Sequence, residues 1–204
     1  MYPELAVREL VANALIHQDF FVTGAGPVVE LFADRFEVTN TGEPLVAADR
    51  LVDAPPRSRS EALASLMRRM GICEERGSGV DKVVSQTEFY QLPAPLLEVP
   101  AGSTRAVLLA HRPLSRMDAE ERARACYLRA CLRYVQREYL TNTSVCERFG
   151  LNEANSASAS RLIKETVSAG LIAPVHEHAA KRLMKYIPWW ATSHAAGPSN
   201  RRKP

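Results

Sequence analysis

Residues Arg8–His17 read Arg-Glu-Leu-Val-Ala-Asn-Ala-Leu-Ile-His, and this stretch decides the fold of the first half of the chain. Glu9, Asn13 and His17 recur every four residues, so on a helix they form one polar stripe. Apolar side chains cover most of the remaining helix surface, which predicts that the helix is largely buried. Because an unpaired buried polar group costs about 1–3 kcal/mol, these three side chains should face internal partners or a ligand. They form the candidate site.

The segments around this stretch predict a helix followed by a β-hairpin. The helix should run from Pro3, a residue that is acceptable in a first turn, to about His17. Pro27–Ala33 and Phe36–Thr39 alternate apolar and polar residues across a short turn, which is typical of a hairpin. An α+β fold is therefore expected for this half.

Three later segments complete the first half. Val46–Ser60 is rich in proline and arginine and predicts a loop over the site. Glu61–Met70 has helical spacing of apolar residues and ends at Gly71. Gly77-Ser78-Gly79 precedes another helix, where backbone N–H groups can close on a phosphate. A lone Gly-x-Gly by itself favours a simple helix start after a flexible lead, so both interpretations stay open.

The polar stripe resembles the first motif of the GHKL ATP-binding fold, which is shared by gyrase B, histidine kinases and MutL. The chain is more similar to the GHKL-like domain of bacterial proteins labelled RecG-related helicases or transcriptional regulators. Their Tyr-Pro, Arg-Glu-Ala-Leu-Val-Asn-Ala and His-Arg-Asp-Tyr segments correspond to Tyr2-Pro3, Arg8–Ala14 and His17–Phe20. The resemblance implies a two-layer sandwich, a mixed sheet with helices on one face, over residues 1–113.

The same resemblance implies ATP or ADP with Mg²⁺ as cofactors. Glu9 would polarise the attacking water, and Asn13 would hold the magnesium ion on the phosphates. A carboxylate near the terminal phosphate and an oxygen ligand for a hard cation are what this chemistry needs. His17, the third member of the stripe, is assigned to the cofactor site.

Two further motifs of the family have counterparts in the chain. The turn Asn40-Thr41-Gly42 resembles the second motif, where a side chain and a glycine meet the adenine. Thr41 stands where the related proteins usually have proline, and Asn40 where the fold usually has aspartate, so the adenine would meet an uncharged amide. Gly77, Ser78 and Gly79 are assigned to the phosphates.

Charge divides the chain. Up to Ala110 there are 10 Lys+Arg and 15 Asp+Glu residues, a net charge of −5; from His111 there are 16 and 8, a net charge of +8. The basic half is the natural candidate for a polyanionic partner. No apolar run has membrane-spanning length and no leader segment is seen, so we expect a cytoplasmic protein without a membrane partner.

The basic half has the element order of a winged helix-turn-helix domain. A linker at 114–119 leads into residues 120–192, and a basic tail at 193–204 is expected to be disordered. The predicted elements are a long amphipathic helix (Glu120–Tyr139), a second helix, a third helix (Ser156–Ala169) and a hairpin arm (Lys181–Trp189). The second helix would be capped by Asn142-Thr143 and would hold Val145, Cys146 and Phe149. The segment resembles the winged helices that follow GHKL-like domains, and Trp189-Trp190 should pack the arm onto the domain.

Double-stranded DNA is the partner that this interpretation predicts. Base and phosphate contacts would come from the exposed side of the third helix, namely Asn155, Ser156, Ser158, Arg161 and Lys164. Phosphate contacts would come from Lys181, Arg182 and Lys185 on the wing. The alternatives are a helical domain whose basic residues form a solvated face and a winged helix that docks a protein.

Together these features predict a two-domain transcriptional regulator in which bound nucleotide biases the winged helix or a homodimer. One alternative is a DNA-binding regulator whose GHKL-like part is only a scaffold or dimer platform. Another is a slow ATP hydrolase that uses Glu9. No Gly-x-x-x-x-Gly-Lys-Ser/Thr loop occurs in the sequence, so a helicase motor is not supported.

Overall fold

The computed structural model describes residues 1–55, 57–73, 79–152, 155–176, 179–180 and 183–192. The chain divides into two compact units, Met1–Asp118 and Ala119–Pro204. The elements of the first unit are α1 (Glu4–His17), β1 (Val28–Leu31), β2 (Arg35–Thr41), α2 (Glu61–Arg69), α3 (Gly79–Phe89), β3 (Leu96–Glu98) and β4 (Ser103–Leu109). Short 3₁₀ turns lie at Ala48–Arg50 and Leu114–Arg116. The predicted opening helix, hairpin and second helix are confirmed.

The strands of the first unit form one sheet in the order β1-β2-β4-β3. Every described strand pair in it is antiparallel, whereas the resemblance implied a mixed sheet. The difference arises because β4 lies between β2 and β3, which run in the same direction and would otherwise form a parallel pair. The overall α+β character is as predicted.

Helices α1 and α3 cover one face of this sheet. Leu10 of α1 and Val83 of α3 pack with Phe36 and Val38 of β2 and with Leu108 of β4, and all five side chains are buried. Helix α2 packs on α1 instead, through a second small cluster. Burial of apolar side chains contributes about 1.5–3 kcal/mol each, so this layer fixes where α1 presents its polar stripe.

Strand β1 lies at the edge of the sheet, and all four of its residues are exposed. Val29 and Leu31 pair with Val38 and Phe36, so they share the face on which the helices pack, yet Leu31 is 75% exposed. The helix layer therefore covers β2 and leaves β1 bare.

The described residues of the second unit form three α-helices and a two-stranded antiparallel sheet. The elements are α4 (Ala119–Val135), α5 (Asn142–Arg148), α6 (Ser156–Ser168), β5 (Ile172–Pro174) and β6 (Tyr186–Pro188), followed by a 3₁₀ turn at Trp189–Ala191. Helices α4 and α5 both contact α6, and α4 contacts β6. Three helices precede the strands, as predicted, but β5 lies before the predicted hairpin arm Lys181–Trp189, and of the two paired strands only β6 falls within it.

Two predicted boundaries in this unit were wrong. Helix α4 ends at Val135 rather than Tyr139, because Arg137 adopts a left-handed backbone with φ 65°. Leu140 then exchanges two backbone hydrogen bonds with Tyr186, which requires extended chain where helix had been predicted. The cap of α5 is Thr141 rather than Asn142-Thr143; its hydroxyl accepts from the Ser144 N–H in a reciprocal capping box.

The predicted packing of Trp189-Trp190 is confirmed for the second residue only. Trp190 is buried, its indole N–H donates to the Tyr127 hydroxyl at 3.1 Å, and its ring stands edge-on to Tyr134 at 5.3 Å. Trp189 is 42% exposed. Trp190 thus joins the end of β6 to α4 within the second unit.

Candidate functional site

A cavity of about 160 Å³ lies in the first unit beside α1. Four of the predicted cofactor residues line it, from three elements that are distant in sequence: Asn13 and His17 on α1, Asn40 on β2, and Gly79 at the start of α3. The remaining lining is mainly apolar and comes from α1, α3, the strands β2, β3 and β4, and the loop after β2: Leu10, Ala14, Val38, Pro44, Leu45, Val46, Leu51, Ala54, Pro55, Arg57, Val80, Leu97, Thr104 and Ala106. The segment predicted as a loop over the site does lie on the cavity.

The polar stripe of α1 is divided between the cavity and the interior. Asn13 and His17 are partly buried and line the cavity, whereas Glu9 is 2% exposed and is not among the described lining residues. The Glu9 carboxylate lies against the first residue of α3. A Cβ placed on Gly79 would stand 3.1 Å from Glu9 Oε2 and 3.3 Å from Asn13 Nδ2. A side chain at position 79 would press on both groups, so glycine favours this close approach of α3 to α1.

Arg8, the neighbour of Glu9 in sequence, places a positive charge near the Glu9 carboxylate. Arg8 Nη2 lies 3.5 Å from Glu9 Oε1, and among the described residues no hydrogen bond reaches that oxygen. A buried carboxylate with an unused acceptor atom is costly unless a further group serves it. This supports the interpretation of the stripe as a site rather than as ordinary core.

Asn40 is buried at the end of β2, and its amide Nδ2 donates to the Thr41 carbonyl at 2.9 Å. Thr41, which departs from the family pattern, is held by Gln18: the Thr41 N–H donates to Gln18 Oε1 at 3.1 Å, and Gln18 Nε2 donates to Thr41 Oγ1 at 2.6 Å. Sequence reasoning missed Gln18. It ties the end of α1 to the end of β2, and a proline at position 41 would lack the N–H for this contact.

Gly42 does not line the cavity with the other predicted residues. Its backbone has φ +97°, and it lies directly under the guanidinium of Arg59, a residue to which the sequence assigned no role. An Asn-x-Gly turn signals that a glycine is needed, but not what approaches it. Gly77 and Ser78 lie outside the described residues.

Burial lowers the pKa of His17, and the charge of Arg59 lowers it further. Its ordinary value is 6.5, so His17 is neutral at pH 7 and one ring nitrogen can accept a hydrogen bond. Asp81 in the first turn of α3 shifts the opposite way, because burial and then the charge of Asp53 raise its pKa to about 6.

In the second unit, four of the residues predicted to contact DNA are exposed on α6 or just before it: Asn155, Ser156, Arg161 and Lys164. Ser158 is partly buried, and its hydroxyl accepts from Arg161 Nη2 at 3.2 Å. Lys185 is exposed, with its ammonium 5.0 Å from the centre of the Tyr139 ring. Lys181 and Arg182 lie outside the described residues, as does the predicted basic tail.

Two absences concern the described part of the chain only. No group of three His, Cys, Asp or Glu side chains there could hold a metal ion. No helix there has both the length and the apolar character needed to cross a membrane.

Comparison with known proteins supports an ATPase-like domain. Residues 24–108 match the family described as "Putative ATP-dependent DNA helicase recG C-terminal". The match includes Asn40, Gly42 and Gly79 but begins after α1, so the stripe of Glu9, Asn13 and His17 lies outside it. Over these residues the first unit is therefore similar to the ATPase-like C-terminal domain of that family.

A solved structure resembles the chain over most of its length. The DIP2311 protein from Corynebacterium diphtheriae is 20% identical, with a TM-score of 0.54 over 95% of this chain. The match spans 42% of the length of that protein. At this identity the likeness concerns the fold alone. The search of curated proteins gave no match.

Proposed function

We propose that the first unit binds ATP or ADP in the cavity beside α1, with Asn13, His17, Asn40 and Gly79 as binding residues. The observation that carries this proposal is their convergence: three elements distant in sequence bring them to one cavity in an ATPase-like domain. The lining beyond them is mainly apolar, as small-molecule sites usually are, with few polar groups to fix orientation.

The base would lie at the β2 side of the cavity. Val38 and Leu97 offer apolar contact for a planar ring, and Asn40 offers a buried amide. Because Asn40 Nδ2 already donates to the Thr41 carbonyl, its Oδ1 is the atom suited to accept from an exocyclic amino group. An uncharged acceptor here favours adenine through a hydrogen bond rather than through charge.

The phosphates would lie at the start of α3. The N-terminus of an eleven-residue helix favours an anion, and Gly79 opens that helix on the cavity. Arg57, which is exposed and also lines the cavity, adds a positive charge at its rim.

Binding of magnesium would depend largely on ligands that the nucleotide supplies. Asn13 supplies one amide oxygen at the cavity, and no acidic or histidine cluster among the described residues adds a ready-made metal site. Magnesium keeps several waters and commonly takes phosphate oxygens as ligands, so one protein ligand is sufficient. Bound in this way, the ion would neutralise phosphate charge beside α3.

Glu9 would act as the base in a slow hydrolysis of ATP. Its carboxylate lies against Gly79, the residue at which the phosphates would end, and one of its oxygens has no hydrogen bond among the described residues. A carboxylate at this place can take a proton from an attacking water. Slow turnover is expected, because Glu9 is buried and not at the cavity wall.

For the second unit we propose DNA binding, so that the whole chain is a transcriptional regulator in which nucleotide biases a winged helix. Exposed Asn155, Arg161 and Lys164 on and beside α6 support it, together with Lys185 on the strand side. Such a helix enters the major groove with its first residues near base edges.

The scaffold alternative has its own support in β1. An edge strand whose residues are all exposed presents unpaired backbone groups and apolar side chains on which a second copy can pair. In that case the first unit would be a dimer platform, and nucleotide would have no effect on DNA binding.

Calorimetric titration of the full chain with ATP and ADP, each with and without Mg²⁺, tests the nucleotide proposal. We expect saturable binding that strengthens with Mg²⁺ for ATP. Absence of heat and of any thermal shift at millimolar nucleotide would overturn it and leave the dimer platform.

A further inference from the structure

The side chain of Arg59 joins three segments that surround the cavity. Its Nε donates to the His17 carbonyl at 3.0 Å, and its Nη2 donates to the Glu43 carbonyl at 2.8 Å. Its Nη1 also lies 3.8 Å from the Asp19 carboxylate. Arg59 itself belongs to the loop after β2, so one guanidinium links that loop to the end of α1 and to the turn that follows β2.

The guanidinium lies face-on against Gly42. A Cβ placed on Gly42 would stand 3.0 Å from both Cζ and Nη2 of Arg59 and 3.1 Å from Nε. Three atoms of a planar group at nearly equal distances mean that the plane itself faces this position. Gly42 is buried, with its N–H donating to the Gly102 carbonyl at 2.8 Å and its carbonyl accepting from Thr104 Oγ1 at 2.7 Å. The surface on which Arg59 rests is therefore fixed.

Each segment that Arg59 joins contributes to the cavity wall. His17 ends α1 and lines the cavity, Pro44 lies next to Glu43, and Arg57 lies two residues before Arg59. Arg59 is not among the described lining residues. Arg59 therefore lies behind the cavity wall and connects the three segments that form it.

The contacts of Gln18 show what Arg59 adds. Gln18 already ties the end of α1 to Thr41, without any residue of the loop. The loop returns to α1 through Arg59 and through the Ser60 N–H, which donates to the Ile16 carbonyl at 3.2 Å. Two charge-assisted bonds from one guanidinium are stronger than a single backbone bond.

We propose that Arg59 is a positioning residue that fastens the loop at residues 46–55 and 57–58 across the cavity and thereby sets the affinity for the ligand without touching it. The consequence for affinity rests on the proposed nucleotide binding. Fastening itself is a property of the protein without ligand, so the two can be separated.

The variants that test this are Arg59→Gln and Arg59→Lys, with Arg69→Gln as the matched control on the exposed side of α2. Glutamine removes both the charge and the planar guanidinium. Lysine keeps a charge but cannot donate to the two carbonyls from one planar group. Circular dichroism shows whether each variant is folded. If Arg59→Gln does not fold, Arg59→Lys alone tests the proposal, because fastening requires both hydrogen bonds of the planar guanidinium.

Hydrogen exchange of the backbone amides at 46–55, measured without nucleotide, reports fastening. We expect exchange to be about tenfold faster in both Arg59 variants, as for loss of a charge-assisted hydrogen bond, and unchanged in Arg69→Gln. The ring signals of His17 in an NMR titration should shift to a higher pKa in Arg59→Gln and stay closer to wild type in Arg59→Lys, which keeps a positive charge nearby. A change in stability alone would not separate the two variants in this way.

Affinity for MgATP completes the experiment. We expect it to fall about tenfold in both Arg59 variants and to be unchanged in Arg69→Gln. If wild type binds MgATP and the variants bind equally well with unchanged exchange, the proposal for Arg59 is overturned while nucleotide binding stands. If wild type does not bind but exchange accelerates as expected, the fastening stands and the nucleotide function is overturned.

Discussion

The candidate recognition groups of the two units are presented in opposite ways. In the first unit Asn40 is buried, and its amide donates to the Thr41 carbonyl, so a backbone contact fixes this side chain before any ligand arrives. In the second unit Arg161 and Lys164 are exposed on one helix face. A prearranged cavity binds at small entropic cost, whereas an exposed basic face binds through charge and responds to salt. The comparison predicts substitutions with different signatures in the two units.

The largest effect is expected for turnover in the first unit. Glu9→Ala should reduce ATP hydrolysis by about 10²–10⁴-fold while leaving nucleotide affinity nearly intact, because a general base acts on the reaction more than on binding. Phosphate release under saturating MgATP measures it. Glu4→Ala, an exposed change on the same helix, is the control. Equal turnover in Glu9→Ala and wild type would remove the role assigned to Glu9.

The second-largest effect is expected for the magnesium-dependent part of nucleotide binding. Asn13→Ala should abolish it, weakening MgATP by about ten- to a hundredfold and leaving metal-free binding little changed. Titrations with and without Mg²⁺ give the two affinities. Asn152→Ala removes an exposed amide from the second unit and should change neither. If both Asn variants behave alike, the cavity and the exposed face do not differ as proposed.

In the second unit, specificity and general affinity should separate. Asn155→Ala or Arg161→Ala should lower discrimination between DNA sites by about 1–3 kcal/mol if the side chain makes a bidentate base contact. Lys185→Ala should weaken all sequences alike and reduce the slope of log affinity against log salt by about one. Titration of duplex DNA at several salt concentrations measures both. Arg69→Ala in the first unit is the control, and an equal loss there would contradict the assignment of DNA binding to the second unit.

The smallest effect concerns stability of the first unit. The raised pKa of Asp81, about 6 against an ordinary 3.8, means that its ionised form costs folding free energy, and this cost appears as pH rises from about 4 to about 6. Asp81→Asn should therefore raise the free energy of unfolding at pH 7.5 by on the order of 1 kcal/mol, a value reduced for solvent screening of a half-exposed group.

Denaturant unfolding at pH 3.5 and pH 7.5 measures the Asp81 effect, with the exposed Asp118→Asn as control. The gain should be nearly absent at the lower pH. Since the carboxylate also lies in the first turn of α3, loss of a favourable helix-dipole contact works against the gain. The same gain at both pH values would rule out titration of Asp81 as its cause.

Local patterns were sufficient to predict most elements of the fold. Spacing of apolar residues located α1, α2 and α6, and alternation located the β1–β2 hairpin, because each pattern depends on neighbours in sequence. The end of α4 could not be predicted in this way. The helical pattern continues to Tyr139, and the pairing of Leu140 with Tyr186, nearly fifty residues away, decides where the helix stops.

The candidate site shows the same limit. The stripe and the Asn-x-Gly turn indicated Asn13, His17, Asn40 and Gly42 as residue types with a chemical purpose. No spacing rule could indicate that Gly42 carries the guanidinium of Arg59, since this contact joins separate parts of the chain. Sequence spacing also could not indicate that Glu9 lies outside the cavity wall, because the position of Glu9 relative to the cavity depends on how closely α3 packs on α1.

The chain has two tryptophans, Trp189 and Trp190, and both lie in the second unit. Trp190 is buried against Tyr127 and Tyr134, while Trp189 is partly exposed, so their emission combines a blue-shifted and a quenchable component. The first unit is silent when tryptophan alone is excited. A change in tryptophan fluorescence on addition of ATP therefore means that the second unit has responded. The unlabelled protein can thus be used to measure communication between its two units.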